Sequence, residues 1–246
     1  MNDSKSDAML AVDSLSAWYG AARILYDLSF TVGRGEVVGL MGRNGAGKST
    51  TLKAVMGLIA QRQGRVRFNG GDISGLKPFE IARRGLGYTP EDRRIFSDLT
   101  VMENLDVGRQ PERRFADGRP APAWTPEKLF ALFPNLAEMP DRLGDRMSGG
   151  EQQMLTVART LMGNPLLVLL DEPSEGVAPL VVEQMANTIV ALKKDGLSIL
   201  LCEQNIHFAR LVSDRVYVLE KGQIRWQGSM AQLDVNQDVQ RAYLTV

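Results

Sequence analysis

Apolar and polar positions alternate through the opening of the chain in the manner of half-buried strands. "MLAVDSLSAWYG" at 9–20, "ILYDLSFTV" at 24–32 and "GEVVGLMG" at 35–42 follow one another closely. This pattern predicts a β-rich beginning. After Gly47 the spacing becomes helical and runs to about Leu58, and "GRVRFNG" at 64–70 returns to strand. From about Arg93 to Met162 the pattern is mainly helical. Two capping boxes punctuate it, Thr100 with Glu103 in "LTVMENL" and Ser148 with Glu151 in "SGGEQQMLTVARTLM". Between them, "RQPERRFADGRPAPAW" at 109–124 is rich in Pro, Gly and charge. It predicts an exposed loop, to which no function is assigned.

Beyond Pro165 the order is strand ("LLVLL", 166–170), helix (about 179–194), strand ("LSILLCE", 197–203), helix (about 205–212) and strand ("DRVYVLEKG", 214–222). Continuous apolar strands alternating with helices imply a parallel sheet covered on both faces. The expected fold is therefore an α/β core with a helical insertion, without internal repeats.

Composition narrows the partners more than the fold. The 246 residues balance 29 Lys and Arg against 29 Asp and Glu, which disfavours a nucleic-acid partner. The lone cysteine, Cys202, lies in an apolar strand and cannot form an internal disulfide. "MNDSKSDAMLAV" lacks the apolar centre of a signal peptide. The run "LLVLL" is far shorter than the roughly 20 residues that cross a bilayer. The expectation is a chain that does not span a membrane but can dock on a protein that does.

Chemistry enters with "GRNGAGKST" at 42–50, a complete match to G-x-x-x-x-G-K-[ST] between a strand and a helix. Gly42, Arg43, Asn44, Gly45, Ala46 and Gly47 let backbone N–H groups wrap phosphate oxygens. Lys48 can neutralise the β- and γ-phosphates, the Ser49 hydroxyl can take a place on Mg²⁺, and Thr50 completes the expected ATP-binding stretch. This is a nucleoside triphosphate site. The second element is "LLVLLDEPSEG" at 166–176, an apolar strand ending in two acids. Asp171 is placed as the Mg²⁺ partner through water, and Glu172 as the base that polarises an attacking water.

"MSGGEQQ" at 147–153 is, by itself, a capping box heading a helix. Followed one helix later by "LLVLLDEP", it resembles the signature and acidic strand of the ABC ATPases, and the likeness covers nearly the whole chain. The resemblance implies a P-loop (RecA-like) core with an N-terminal antiparallel β subdomain. It places a single ATP-binding domain over 8–246, with a helical subdomain inserted at about 92–162. It also implies that Ser148, Gly149, Gly150 and Glu151 face the ATP of a partner subunit, with Met147 where leucine is commoner. Tyr19 takes the position of an aromatic that stacks on adenine, a contact tolerant of any base.

Four positions depart from the family's commonest pattern. Glu91 in "YTPEDRRIF" replaces a glutamine that reaches metal and water, and Glu151 replaces the signature glutamine. Ala178 in "SEGVAP" stands for an aspartate, and Gln204 in "CEQNIHF" for the switch histidine. Gln204 can hydrogen-bond a γ-phosphate but cannot add positive charge. The only histidine, His207, lies three positions later and is expected to be an ordinary helix residue. Together the variants resemble one branch, an ATP-binding subunit of branched-chain (hydrophobic) amino acid importers.

What that branch implies is a membrane-attached ATPase on the cytoplasmic face. Its partners are a second ATP-binding subunit (usually a different chain, although a homodimer is compatible), two membrane-spanning permease subunits and, indirectly, an external binding protein. The expected cofactors are ATP and Mg²⁺, with Ser49, Asp171 and Glu91 as metal residues and Glu172, Lys48 and Gln204 as catalytic ones. Urea or short-amide importers are the alternative within transporters. A soluble ABC ATPase acting on nucleic acid or ribosomes, and a small P-loop kinase, are the alternatives outside them. The first would need tandem domains, a long coiled coil or zinc cysteines, and the second would lack "SGGEQQ".

Overall fold

A computed structural model describes residues 8–244; the first residues of the opening segment and the last two of the expected domain lie outside the described residues. The chain opens with β1 (Leu10–Tyr19), β2 (Ala22–Val32) and β3 (Val37–Met41), then α1 (Lys48–Val55). Next come β4 (Gln61–Phe68), β5 (Gly71–Asp72), α2 (Pro78–Arg83) and β6 (Leu86–Thr89). A helical segment follows, with α3 (Val101–Gly108), α4 (Pro126–Leu132), α5 (Pro134–Ala137) and α6 (Gly149–Met162). The remainder is β7 (Leu167–Asp171), α7 (Pro179–Lys194), β8 (Ser198–Glu203), α8 (Ile206–Val212) and β9 (Arg215–Glu220). It closes with β10 (Gln223–Ser229), α9 (Met230–Val235) and α10 (Gln237–Tyr243).

Two sheets form. The antiparallel one runs β2-β1-β4-β5, and the larger runs β10-β9-β3-β8-β7-β6, parallel except for the edge strand β10. Apolar residues occupy both faces of the central strands. Leu167 and Leu169 of β7 join the core shared with the antiparallel sheet and α1, while Val168 and Leu170 join the core under α3 to α7. Each strand is therefore buried on both sides, and each such side chain contributes about 1.5–3 kcal/mol of hydrophobic stabilisation. Cys202 sits inside this sandwich as a small buried group.

Local chemistry sets the helix starts. Thr100 Oγ1 accepts the Glu103 N–H at 3.2 Å while Glu103 Oε2 accepts the Thr100 N–H at 2.8 Å, completing the expected capping box. Inside the same turn, buried Asn104 donates to the carbonyls of Phe96, Leu99 and Thr100 and accepts the Phe96 N–H, fastening the stretch between β6 and α3.

The 109–124 segment departs from the expected exposed loop. Most of it is exposed, but Phe115 and Trp124 are buried, one in each of the two main cores. Arg34 lies over the Phe115 ring and pairs with Asp117, and Asn164 Oδ1 accepts the Trp124 N–H at 2.7 Å. Two aromatic anchors make this loop part of the packed body.

Candidate active site

The C-terminal ends of three parallel strands assemble the site. β3, β8 and β7 lie side by side, with Met41 paired to Glu203 and Asp171 to Cys202. The loop after β3, the acids ending β7 and the residues after β8 thus emerge at one sheet edge, where open α/β sheets bind ligands. Two glycines are required here by the backbone. A Cβ on Gly42 would stand 2.4 Å from the Leu219 carbonyl oxygen, and Gly47 caps α1 at φ 109°, which L side chains rarely adopt. The loop delivers the N-terminus of α1, with its unpaired N–H groups, to the same edge.

Lys48 is 3% exposed. Its ammonium donates to the carbonyl oxygens of Gly42 at 2.8 Å and Arg43 at 3.2 Å, and pairs with Glu172 Oε1 at 2.9 Å. Ser49 Oγ donates to Asp171 Oδ1 at 2.8 Å, and the Tyr88 hydroxyl donates to Asp171 Oδ2 at 3.1 Å. Lys48, Ser49, Asp171 and Glu172 are therefore brought together as expected. Glu172 holds a left-handed backbone at φ 48°, with its N–H on the Cys202 carbonyl at 3.0 Å. That conformation costs a non-glycine residue about 1–3 kcal/mol and turns the chain sharply at the strand end.

The electrostatics divide the carboxylates. Burial raises the pKa of Asp171, against the lowering pull of the Ser49 and Tyr88 hydrogen bonds. Burial also pushes Glu172 upward, but hydrogen bonds from Glu175 and Lys48 outweigh it and hold Glu172 below its ordinary value. Glu175 shifts the other way, to about 7, because its carboxyl shares a hydrogen bond with Glu172, with burial and the charges of Glu172, Glu91 and Glu203 adding to the rise. Below about pH 7 Glu175 thus holds the proton of the pair, and Glu172 is a carboxylate facing Lys48.

The other expected residues stand around this centre. Tyr19 ends β1 and is 51% exposed. Glu91 is exposed just beyond β6 and does not hydrogen-bond Ser49 or Asp171, whose oxygens are engaged with each other and with Tyr88. The expected metal trio is accordingly a contacting pair, with Glu91 reaching the site through its charge on Glu175. Ser148 caps α6, accepting the Glu151 N–H at 3.4 Å, while Glu151 accepts the Ser148 N–H at 2.6 Å. Arg93 lies against Gly149, with its guanidinium 2.8 Å from where a Cβ would stand. Thr156 donates to the Arg93 carbonyl at 3.0 Å and Arg159 to that of Arg94 at 2.6 Å, so the stretch after Glu91 is bolted to α6. Gln204 is half-buried directly after β8, and His207 is exposed on α8.

The family model described as ABC transporter matches residues 25–175. The chain belongs to the ABC transporter family. It is 42% identical over 236 residues to the high-affinity branched-chain amino acid transport ATP-binding protein BraG of Pseudomonas aeruginosa, covering 96% of this chain and 99% of that one. It is 37% identical over 245 residues to the lipopolysaccharide export system ATP-binding protein LptB of Haemophilus influenzae, covering 96% and 97%. Among solved structures, a nucleotide-free ATP-binding cassette from an ABC transporter superposes with a TM-score of 0.77 at 28% identity, covering 94% of this chain and 97% of that one. The protein is an ABC ATPase, the ATP-hydrolysing subunit of a transporter.

Three residues of this ABC ATPase site had no role from sequence. Tyr88 and Glu175 depend on contacts across the fold, which no local pattern reports. Glu203 had a signal, since "LSILLCE" ends an apolar strand with an acid just as "LLVLLD" does.

Proposed function

We propose that this ABC ATPase energises import of branched-chain or other hydrophobic amino acids. The observation that carries the reading is its 42% identity to BraG over almost all of both chains, against 37% and 35% for LptB proteins. Glu91, Glu151, Ala178 and Gln204 support it as the variants that branch resembles. The LptB likeness favours lipopolysaccharide export as a second reading.

On this reading one ATP-binding domain spans 8–246, with the helical segment at about 92–162 inserted. Two such subunits close around two ATP molecules, each phosphate loop meeting the partner's Ser148–Gly150 signature. Tyr19 stacks on adenine. ATP bound in the loop competes with Glu172 for the Lys48 ammonium, which transfers to the phosphates and frees Glu172 to take a proton from the attacking water. Gln204 orients the γ-phosphate through its amide. Ser49 and Asp171, adjacent hydroxyl and carboxylate oxygens, fit Mg²⁺, a hard cation that keeps waters and takes phosphate oxygens. Among the described residues no group of three or more His, Cys, Asp or Glu forms a fuller cage. Bound there, the ion supplies charge neutralisation at the phosphates.

Among the described residues no helix is long and apolar enough to cross a membrane. Attachment at the cytoplasmic face would come through the permease. A groove of about 610 Å³ between α2 and the helical segment, with exposed Phe79, Leu58, Phe96 and Val107, supports that docking.

Co-expression with the membrane subunits tests the reading. The expected result is co-purification and ATP-dependent uptake of leucine in proteoliposomes. Uptake of urea alone, or extraction of lipopolysaccharide, would replace the substrate assignment, and recovery of nucleic acid without membrane subunits would overturn the transporter partners. In the same assay Glu172→Gln is expected to retain ATP binding and to lose turnover by about 100-fold or more.

A further inference from the structure

One buried carboxylate joins the two loops that carry Glu172 and Gln204. Glu203 ends β8 and is 1% exposed. Its Oε1 accepts the N–H of Ser174 at 3.1 Å, and its Oε2 accepts the N–H of Asn205 at 3.2 Å. Ser174 lies two residues beyond Glu172, in the turn that also carries Glu175. Asn205 follows Gln204 and caps α8, its Oδ1 accepting the N–H groups of His207 and Phe208. The two oxygens of one side chain thus reach one loop each.

Holding an anion here is costly. Burial is the main influence on Glu203 and disfavours its charge, and the neighbouring charge felt most is that of Glu172, another carboxylate. An apolar residue would avoid that cost but leave both N–H groups without an acceptor. An amide would present one oxygen and one N–H₂, serving one loop and opposing the N–H of the other. A carboxyl side chain offers one acceptor oxygen to each loop, as Glu203 does here, which neither replacement can. The neighbouring strand pairing adds rigidity, since Met41 at the start of the phosphate loop lies beside Glu203 in the ladder.

We propose that Glu203 is a positioning residue for ATP hydrolysis, holding the Glu172 turn and the Gln204 turn in fixed register through its two oxygens. The water-activating carboxylate and the phosphate-facing amide then keep one relative geometry as nucleotide enters. Errors of about 1 Å in such placement cost on the order of 100-fold in rate. The inference rests on the roles proposed for Glu172 and Gln204.

Steady-state ATPase kinetics of the purified chain, with ATP affinity measured separately by equilibrium binding, test it. Glu203→Gln is expected to lower kcat by about tenfold or more while ATP affinity stays within about threefold. Glu203→Asp keeps both acceptors on a shorter arm and is expected to retain more turnover than the Gln variant. Should the Gln variant not fold, a lower kcat at unchanged ATP affinity in the Asp variant supports the proposal. Wild-type kcat in either folded variant overturns it, as does a fall in kcat that merely follows lost ATP binding. Glu172→Gln runs alongside: if it keeps turnover, the base assignment fails first, whereas an inactive Glu172→Gln beside an active Glu203→Gln removes only the positioning role.

Discussion

Glu172 sits between Lys48 on one side and Glu175 on the other, and its proton balance follows from that placement. Glu175 is raised from an ordinary 4.5 to about 7, so the folded protein binds its proton more tightly than the unfolded chain does. Its contribution to stability is complete below about pH 4.5 and is lost as pH rises through about 7. Glu172, shifted downward, contributes in the opposite sense, above its ordinary value, and loses that contribution in more acid solution. Glu175→Gln keeps a hydrogen-bond donor toward Glu172 at every pH. Thermal unfolding across pH 4.5–7.5 should therefore show wild-type stability declining relative to the variant, and parallel curves would refute the shared proton. Nearby, the lone histidine takes little part. His207 is exposed, its N–H on the Asn205 cap, so His207→Ala should leave kcat within about twofold, as ordinary surface changes do. Gln204→Ala should change hydrolysis measurably in the same assay.

At the level of elements, Ser148 carries two separable duties. It caps α6, and a cap replaced by alanine costs about 1 kcal/mol. On the proposed reading it also meets the partner's ATP. Asn caps as well as Ser does but is larger and presents an amide. Ser148→Asn should therefore hold the melting temperature while lowering turnover, whereas Ser148→Ala should lower both; full turnover in the Asn variant would leave only the cap. Caps of this kind were legible in the sequence because they are local, with donor and acceptor three residues apart. The central strands were legible because burial on both faces leaves an unbroken apolar run. Phe115 and Trp124 were not, since an isolated aromatic in a polar loop has no period and its anchor lies far along the chain. Tyr88 and Glu175 failed for the same reason, whereas Glu203 carried the strand-end acid already used for Asp171.

For the whole molecule, the nucleotide edge and the apolar groove are joined by the stretch between β6 and α3. Glu91 lies at its start, Arg93 packs on Gly149 in the first turn of α6, and Phe96 faces the groove. Arg93 and Arg94 both hold left-handed backbone, at φ 61° and 51°, a conformation kept only where surroundings enforce it. Here α6 does so, through Thr156 and Arg159 on the two carbonyls. Phe79, 52% exposed on α2, borders the groove without touching the nucleotide edge. A charge there opposes apolar docking but buries nothing in this chain. Phe79→Glu should thus leave the ATPase activity of the isolated chain within about twofold. Co-purification with the membrane subunits should fall by about tenfold or more, the loss expected when a charge is forced into an apolar interface. Unimpaired co-purification would move the docking surface elsewhere, while loss of the isolated activity would show the groove and the nucleotide edge to be one site.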